Sequence, residues 1–249
     1  LEFYVYIYIE ERQGFFDFLS AKRKNWAFIP EFYLMKWLKM SLVISLVFLI
    51  GIGAFYRFYF LRDPIRAVPN DDMMFVSPAN GKIIAIIKQD ELKDHKAELY
   101  KENKKVINDW TEGFSSGATL ISIMMTPLDV HYQKAPMGSR MIDEVYVAGR
   151  FWNAMRSNST MNSTFQNEYH SMLFETPETY QFRVIQIAGF VARRIVDFLN
   201  PGQEVKQGEK IWLIKLGSQV SIVLDKNFEV LAKVGDKVVD GETILAKKK

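Results

Sequence analysis

The sequence contains no cysteine, which excludes disulfides, thiolate metal centres and cysteine nucleophiles and gives no argument for an oxidising compartment. Histidine is nearly as scarce. His95, His131 and His170 share no ligand spacing such as HxxxH, so a histidine-rich metal site is not expected and no metal is assigned. An excess of one charge is lacking too: 32 Lys and Arg against 29 Asp and Glu leave a net +3. That is too little to argue for nucleic acid and no obstacle to contact with anionic lipid. What is present, 49% hydrophobic and 24% charged residues, suits one or two globular domains.

Charge is locally absent from Met40 to Tyr56, between Lys36 and Lys39 on one side and Arg57 and Arg62 on the other. The run is at the short end of the roughly 17–25 residues that span a bilayer, and Trp37, Tyr56 and Tyr59 stand where interfacial aromatics belong. A membrane anchor over residues 35–62 is predicted; a buried core helix and an uncleaved signal sequence are the alternatives, and no A-x-A-like cleavage site follows. Basic residues on both flanks leave the orientation open. Residues 1–34 carry an unpatterned aromatic mixture and no methionine, so Met35 is a candidate start, with the preceding segment an extension or an amphipathic piece lying on a membrane.

Beyond Asp63-Pro64 and Val68-Pro69 the composition turns globular. Residues 75–87 read as a hairpin, two strands joined through Pro78, Ala79, Asn80 and Gly81. Residues 90–109 read as charged helix or exposed loop, and 119–125, 141–147 and 182–187 as strands. Residues 150–179 read as a loop-rich insertion, its two Asn-Ser-Thr sequons being taken as chance. The C-terminal part holds an internal repeat: residues 202–211 and 235–244 share G-x-x-V-x-x-G-E-x-I, which suggests two quasi-equivalent halves closing on one core. Compact domains that carry lipoyl or biotinyl groups use such doubled turns, but no lysine stands at a hairpin tip here. The expected fold is mainly β, a sandwich or barrel with this lipoyl-like repeat, some helix and the N-terminal membrane helix.

Between the repeats, residues 210–224 read as one long buried strand with Gly217-Ser218 in its middle. Val220, Ile222 and Leu224 alternate with Gln219, Ser221 and Val223, which puts Ser218 on the apolar face. A buried hydroxyl must find a partner, and a Gly-Ser bulge is the plain reading. A serine nucleophile needs a base, for which His131 is best placed by type. The nucleophile-elbow pattern G-x-S-x-G is absent around Ser218, so a serine hydrolase of that kind is not supported. Arg193 and Arg194, near Gly189, are candidates for gripping a phosphate or carboxylate, with a solvated basic helix end as the equal alternative.

From about Phe60 onward the chain resembles the phosphatidylserine decarboxylase proenzymes, particularly their short form. The matches are ordered: Phe60-Leu-Arg-Asp-Pro-Ile-Arg66, Ser77-Pro-Ala-Asn-Gly-Lys82, Asp129-Val-His131 with Ala135-Pro136, Asn167-Glu168, Gln186-Ile-Ala-Gly189 with Ala192-Arg-Arg-Ile195, Leu216-Gly-Ser218, and Gly235-Asp-Lys-Val238 with Gly241-Glu242. The resemblance implies self-cleavage between Gly217 and Ser218, conversion of Ser218 into a pyruvoyl cofactor, and decarboxylation of phosphatidylserine, or a related serine lipid such as archaetidylserine, to the ethanolamine lipid. Ser218, His131 and Asn80 are then the catalytic candidates and Arg193 and Arg194 the substrate-binding ones. The decarboxylase domain covers 63–249, its two cleaved chains staying associated, with a homodimer as a further expectation. The expected location is the cell membrane, with the catalytic domain on its cytoplasmic side. Two positions depart from the family pattern: Asn80 stands where the family usually has an aspartate that helps activate cleavage, and Lys134 where some members carry a second histidine. An amide cannot accept a proton as a carboxylate can. The alternatives are therefore a processing-deficient homologue that binds lipid without catalysis, or a lipoyl-like carrier or adaptor module.

Overall fold

The structure is a computed structural model that describes residues 5–7, 27–29, 31–69, 71–88, 109–114, 117–150, 165–189, 195–197, 199–214 and 219–249. Gly217, Ser218, Arg193 and Arg194 lie outside the described residues, as does nearly all of the charged segment 90–109. The chain forms two compact units, Leu1–Tyr56 and Arg57–Lys249. In the first, β1 (Val5–Ile7) pairs antiparallel with β2 (Ala27–Ile29), and α1 (Glu31–Ala54) follows. The helix runs on as a π-helical stretch, Phe55–Phe60. Met35–Phe60, 26 residues, is long and apolar enough to cross a membrane.

The second unit is built on an eight-stranded antiparallel sheet. Its members are β4 (Gly81–Lys88), β5 (Thr119–Met124), β7 (Ser139–Val147), β8 (Tyr169–Glu175), β9 (Gln181–Ile187), β11 (Glu204–Val205), β13 (Gln219–Leu224) and β15 (Lys237–Val238). Their order is β11-β7-β8-β9-β13-β5-β4-β15. Two three-stranded sheets complete it: β10 (Ile195–Asp197), β12 (Lys210–Ile214) and β6 (Tyr132–Lys134) in one, and β14 (Phe228–Val230), β16 (Ile244–Lys248) and β3 (Met74–Val76) in the other. The sheets are open, so the sandwich half of the expectation stands and the barrel half does not.

The repeat organises this topology. Each copy supplies one edge strand of the large sheet, β11 or β15, and the central strand of one small sheet, β12 or β16. Its four glycines, Gly202, Gly208, Gly235 and Gly241, all take positive φ (90°, 77°, 99° and 72°), the left-handed conformation that glycine adopts without steric cost. The turn bonds also match. Gly202 N donates to Met141 O and Gly235 N to Ile83 O (2.7 and 2.8 Å); Gly208 N donates to Ala135 O and Gly241 N to Ser77 O (2.9 and 2.8 Å). A second, hidden correspondence follows, in which Ser77-Pro78 is the counterpart of Ala135-Pro136 and β4 that of β7.

Three sequence expectations change. Residues 75–87 do not form a hairpin: β3 pairs with β16, while β4 pairs with β5 and β15. The Asn-Gly signal marks a crossing between sheets, because the turn's hydrogen bonds go to distant partners such as Thr243 and Gly241 rather than across a strand pair. The single long strand 210–224 is two strands in different sheets, β12 and β13. Within β13 the parity holds on one side, Val220, Ile222 and Leu224 lying in the main core. The other side is buried too, with Val223 in a second cluster and Ser221 hydrogen-bonded to Ser122 (2.9 Å). Finally, the supposed loop 150–179 contains β8, an inner strand of the large sheet. Its His170 and Ser171 are buried polar residues, His170 paired to Glu144 at 3.0 Å, which breaks the alternation by which strands are recognised.

Candidate active site

The candidate site starts at β13, the strand that follows Ser218 in the sequence. Gln219, its first residue, pairs with Met124 of β5 and Ile187 of β9 and is fully buried. Ser218 directly precedes Gln219 in the sequence. Upstream, β12 ends at Ile214, whose N–H donates to the carbonyl of His131 at 3.3 Å. His131 is thereby tied to the strand that leads into the Gly217-Ser218 segment.

His131 is completely buried. Its Nδ1 lies 2.8 Å from Asp129 O, and since a carbonyl only accepts, Nδ1 carries the proton and Nε2 the lone pair. Burial lowers its pKa from 6.5 to about 4, against the opposing pull of the Asp129 carbonyl and carboxylate, so the ring is neutral at ordinary pH. Asp129 itself is fixed by accepting from Thr126 N and Thr126 Oγ1, both at 2.7 Å. Phe60, at the end of the π-helical stretch, closes over the imidazole with ring centroids 4.0 Å apart.

Two residues on, Gln133 reaches across to Gln186 of β9, which is in register with Val220. Gln186 Nε2 donates to Gln133 Oε1 at 2.6 Å. Gln133 Nε2 and Gln186 Oε1 are buried and have no hydrogen-bond partner among the described residues. A buried pair of amides with one donor and one acceptor unspent is costly without a ligand to meet them.

Asn80 belongs to a separate charged cluster. Its Oδ1 accepts from Asp240 N at 2.7 Å and from Arg66 Nη2 at 3.4 Å. Arg66 Nη2 also pairs with Asp240 Oδ1. Beside them Lys134 Nζ binds Asp63 Oδ1 at 2.8 Å, and Lys210 Nζ binds Asp63 Oδ2 at 3.2 Å. Lys134 thus acts as an ion-pair partner of Asp63. Sequence reasoning missed Arg62, Asp63, Arg66 and Asp240 as site residues. The signal was present for three of them in the Phe60–Arg66 motif, since Arg62 Nη2 also donates to Leu128 O at 2.6 Å in the turn that carries Asp129. Asp240 had no local signal.

A family model described as phosphatidylserine decarboxylase matches residues 54–246. The chain belongs to the phosphatidylserine decarboxylase family and is therefore an enzyme of the decarboxylase class. Among its relatives is a phosphatidylserine decarboxylase proenzyme of Chlorobaculum parvum, 38% identical over 192 residues, which cover 77% of this chain and 78% of that one. Another, from Desulfotalea psychrophila, is 34% identical over 203 residues, 82% and 83% of the two chains. A protein of Methanothermobacter thermautotrophicus, provisionally named an archaetidylserine decarboxylase proenzyme, is 36% identical over 192 residues, 77% and 80% of the two chains.

Proposed function

We propose that this chain cuts itself between Gly217 and Ser218, turns Ser218 into a pyruvoyl group, and then decarboxylates phosphatidylserine to phosphatidylethanolamine at the cytoplasmic face of the cell membrane. The observation that carries the proposal is the buried, neutral His131, tied through Ile214 to the strand leading to Ser218. The unspent donor and acceptor of Gln133 and Gln186 fit a carbonyl-bearing group and a polar head group at this place. The pyruvoyl carbonyl would supply the electron sink for loss of carbon dioxide.

The chain's own residues would orient the head group, exclude water and move protons. His131 Nε2 takes a proton from the substrate ammonium and returns it to the α-carbon after carbon dioxide leaves. Asp129 O holds the imidazole in the tautomer this requires, and Phe60 keeps it dry. Gln133 and Gln186 offer one N–H and one carbonyl to the head group. Arg193 and Arg194 grip its phosphate or carboxylate. The apolar helix through Met35–Phe60 anchors the enzyme in the bilayer that holds its substrate.

Cleavage at this bond would leave the two pieces interlocked. β13 is bonded on both sides by strands from the upstream piece, β9 and β5, while β15 pairs with β4 and β16 with β3. The fragments should copurify and separate only on denaturation. The reading is tested with vesicles containing phosphatidylserine. Wild-type protein releases phosphatidylethanolamine; Ser218→Ala releases none; His131→Ala cuts turnover about 10²–10⁴-fold while self-cleavage continues. Wild-type turnover by Ser218→Ala would rule the mechanism out.

A further inference from the structure

Asp240 is fully buried in the second repeat turn, and its two oxygens are treated unequally. Oδ1 takes Arg66 Nη2, while Oδ2 is buried with no hydrogen-bond partner among the described residues; Arg66 Nε is in the same condition. An arginine–carboxylate pair kept for stability alone gains most by closing both ends of its fork. This one is closed at one end, and the idle oxygen carries a desolvation cost with nothing set against it. Burial raises the Asp240 pKa, with Arg66 and Lys134 opposing, so the group holds a proton more readily than an ordinary aspartate.

The position is as telling as the chemistry. Asn80 receives Asp240 N and Arg66 Nη2 on one oxygen and so fixes the turn that presents the carboxyl. The next residue, Gly81, passes so close to β5 that a Cβ there would stand 2.2 Å from Met124 O. Met124 is the register partner of Gln219, to which Ser218 is bonded. The Asn80–Asp240 pair therefore lies at the end of β5 from which β13 departs.

We propose that Asp240 is the proton acceptor of self-cleavage, standing in for the carboxylate that position 80 lacks, with Asn80 and Arg66 as its positioning residues. The inference rests on the self-cleavage reading above. In the step concerned, Ser218 Oγ bonds to the Gly217 carbonyl carbon as the bond from that carbon to the Ser218 nitrogen breaks. The hydroxyl proton is taken up by the Asp240 carboxylate and returned to the departing nitrogen, leaving an ester, a free amine and an unchanged aspartate.

The experiment follows the disappearance of freshly translated full-length chain, 29.0 kDa, with time. Asp240→Asn is expected to slow it about 100-fold or more. Adding Asn80→Asp to that variant, which returns one carboxylate to the pair and a partner to Arg66, is expected to bring the rate back to within about tenfold of wild type. If wild type cleaves and Asp240→Asn keeps pace, this inference falls alone. If the double variant is folded by circular dichroism yet stays uncleaved, Asp240 is a structural partner of Arg66 and the inference also falls. A wild-type chain that never cleaves sinks the self-cleavage reading and takes this inference with it.

Discussion

The two halves of the catalytic unit share a scaffold and differ in what they put on it. Val205 pairs with Ser139 as Val238 pairs with Gly81, and Glu204 with Arg140 as Lys237 with Lys82. Yet the residue before the second repeat glycine is Gln207 in one copy and Asp240 in the other. Gln207 Nε2 spends itself on Met74 O and Pro136 O, at 2.6 and 3.1 Å, as a neutral stitch between turns. Asp240 meets Arg66 and Asn80, and its second oxygen has no hydrogen-bond partner among the described residues. The surroundings differ too: Gly138, Ser139, Lys206 and Gln207 border a cavity of about 720 Å³, whereas Arg66 packs against Gly241 in the other half. His131 is the converse case, a buried imidazole whose counterpart by the same correspondence, Met73, is 46% exposed. The repeat supplies the frame, and the residues to which the proposed chemistry is assigned stand where the copies differ.

The sharpest way to break this comparison is at Gly81. Its counterpart Ser139 carries a side chain without difficulty, but at Gly81, with φ 149°, any Cβ would collide with the Met124 carbonyl. Gly81→Ser is expected to cost about 3 kcal/mol or more and to impair self-cleavage as well, because Met124 aligns Gln219. Ser139→Gly should cost under about 1 kcal/mol. Urea unfolding measures both. Next in size, Gln207→Leu removes the neutral stitch and should lower stability by about 1–2 kcal/mol while leaving the rate of chain cleavage within about twofold of wild type. If Gln207→Leu stopped cleavage as fully as Asp240→Asn, the division of labour between the copies would be wrong.

Smallest at neutral pH, and growing on acidification, is the effect that His131 introduces through one half alone. Its folded pKa of about 4 lies below the unfolded 6.5, so the unfolded chain binds the extra proton between these values. Its contribution is fully present above pH 6.5 and is lost as pH falls towards 4. Thermal melts over that window should therefore decline more steeply for wild type than for His131→Gln, which cannot titrate. Equal slopes would show that His131 is not held neutral by burial.

Much of this was legible in the residues. The strands β5, β7 and β9 follow from runs of apolar and β-branched residues, and the repeat from glycines at matched spacing, each of which proves to hold a positive φ. His131 stood out by type and by its place after a strand. What stayed hidden depends on partners distant in sequence. β8 carries polar residues satisfied from neighbouring strands, and the Asn80 turn is stitched to residues some 160 positions away. Asp240, unremarkable in its own turn, gains meaning only beside Asn80 and Arg66.

The central claim is that the chain breaks its own Gly217–Ser218 bond, and intact-mass spectrometry of the purified protein tests it most directly. The account predicts an upstream piece ending at Gly217 and a C-terminal piece running from a blocked residue 218 to Lys249, both absent from Ser218→Ala. A spectrum showing only the intact chain after prolonged incubation would contradict it.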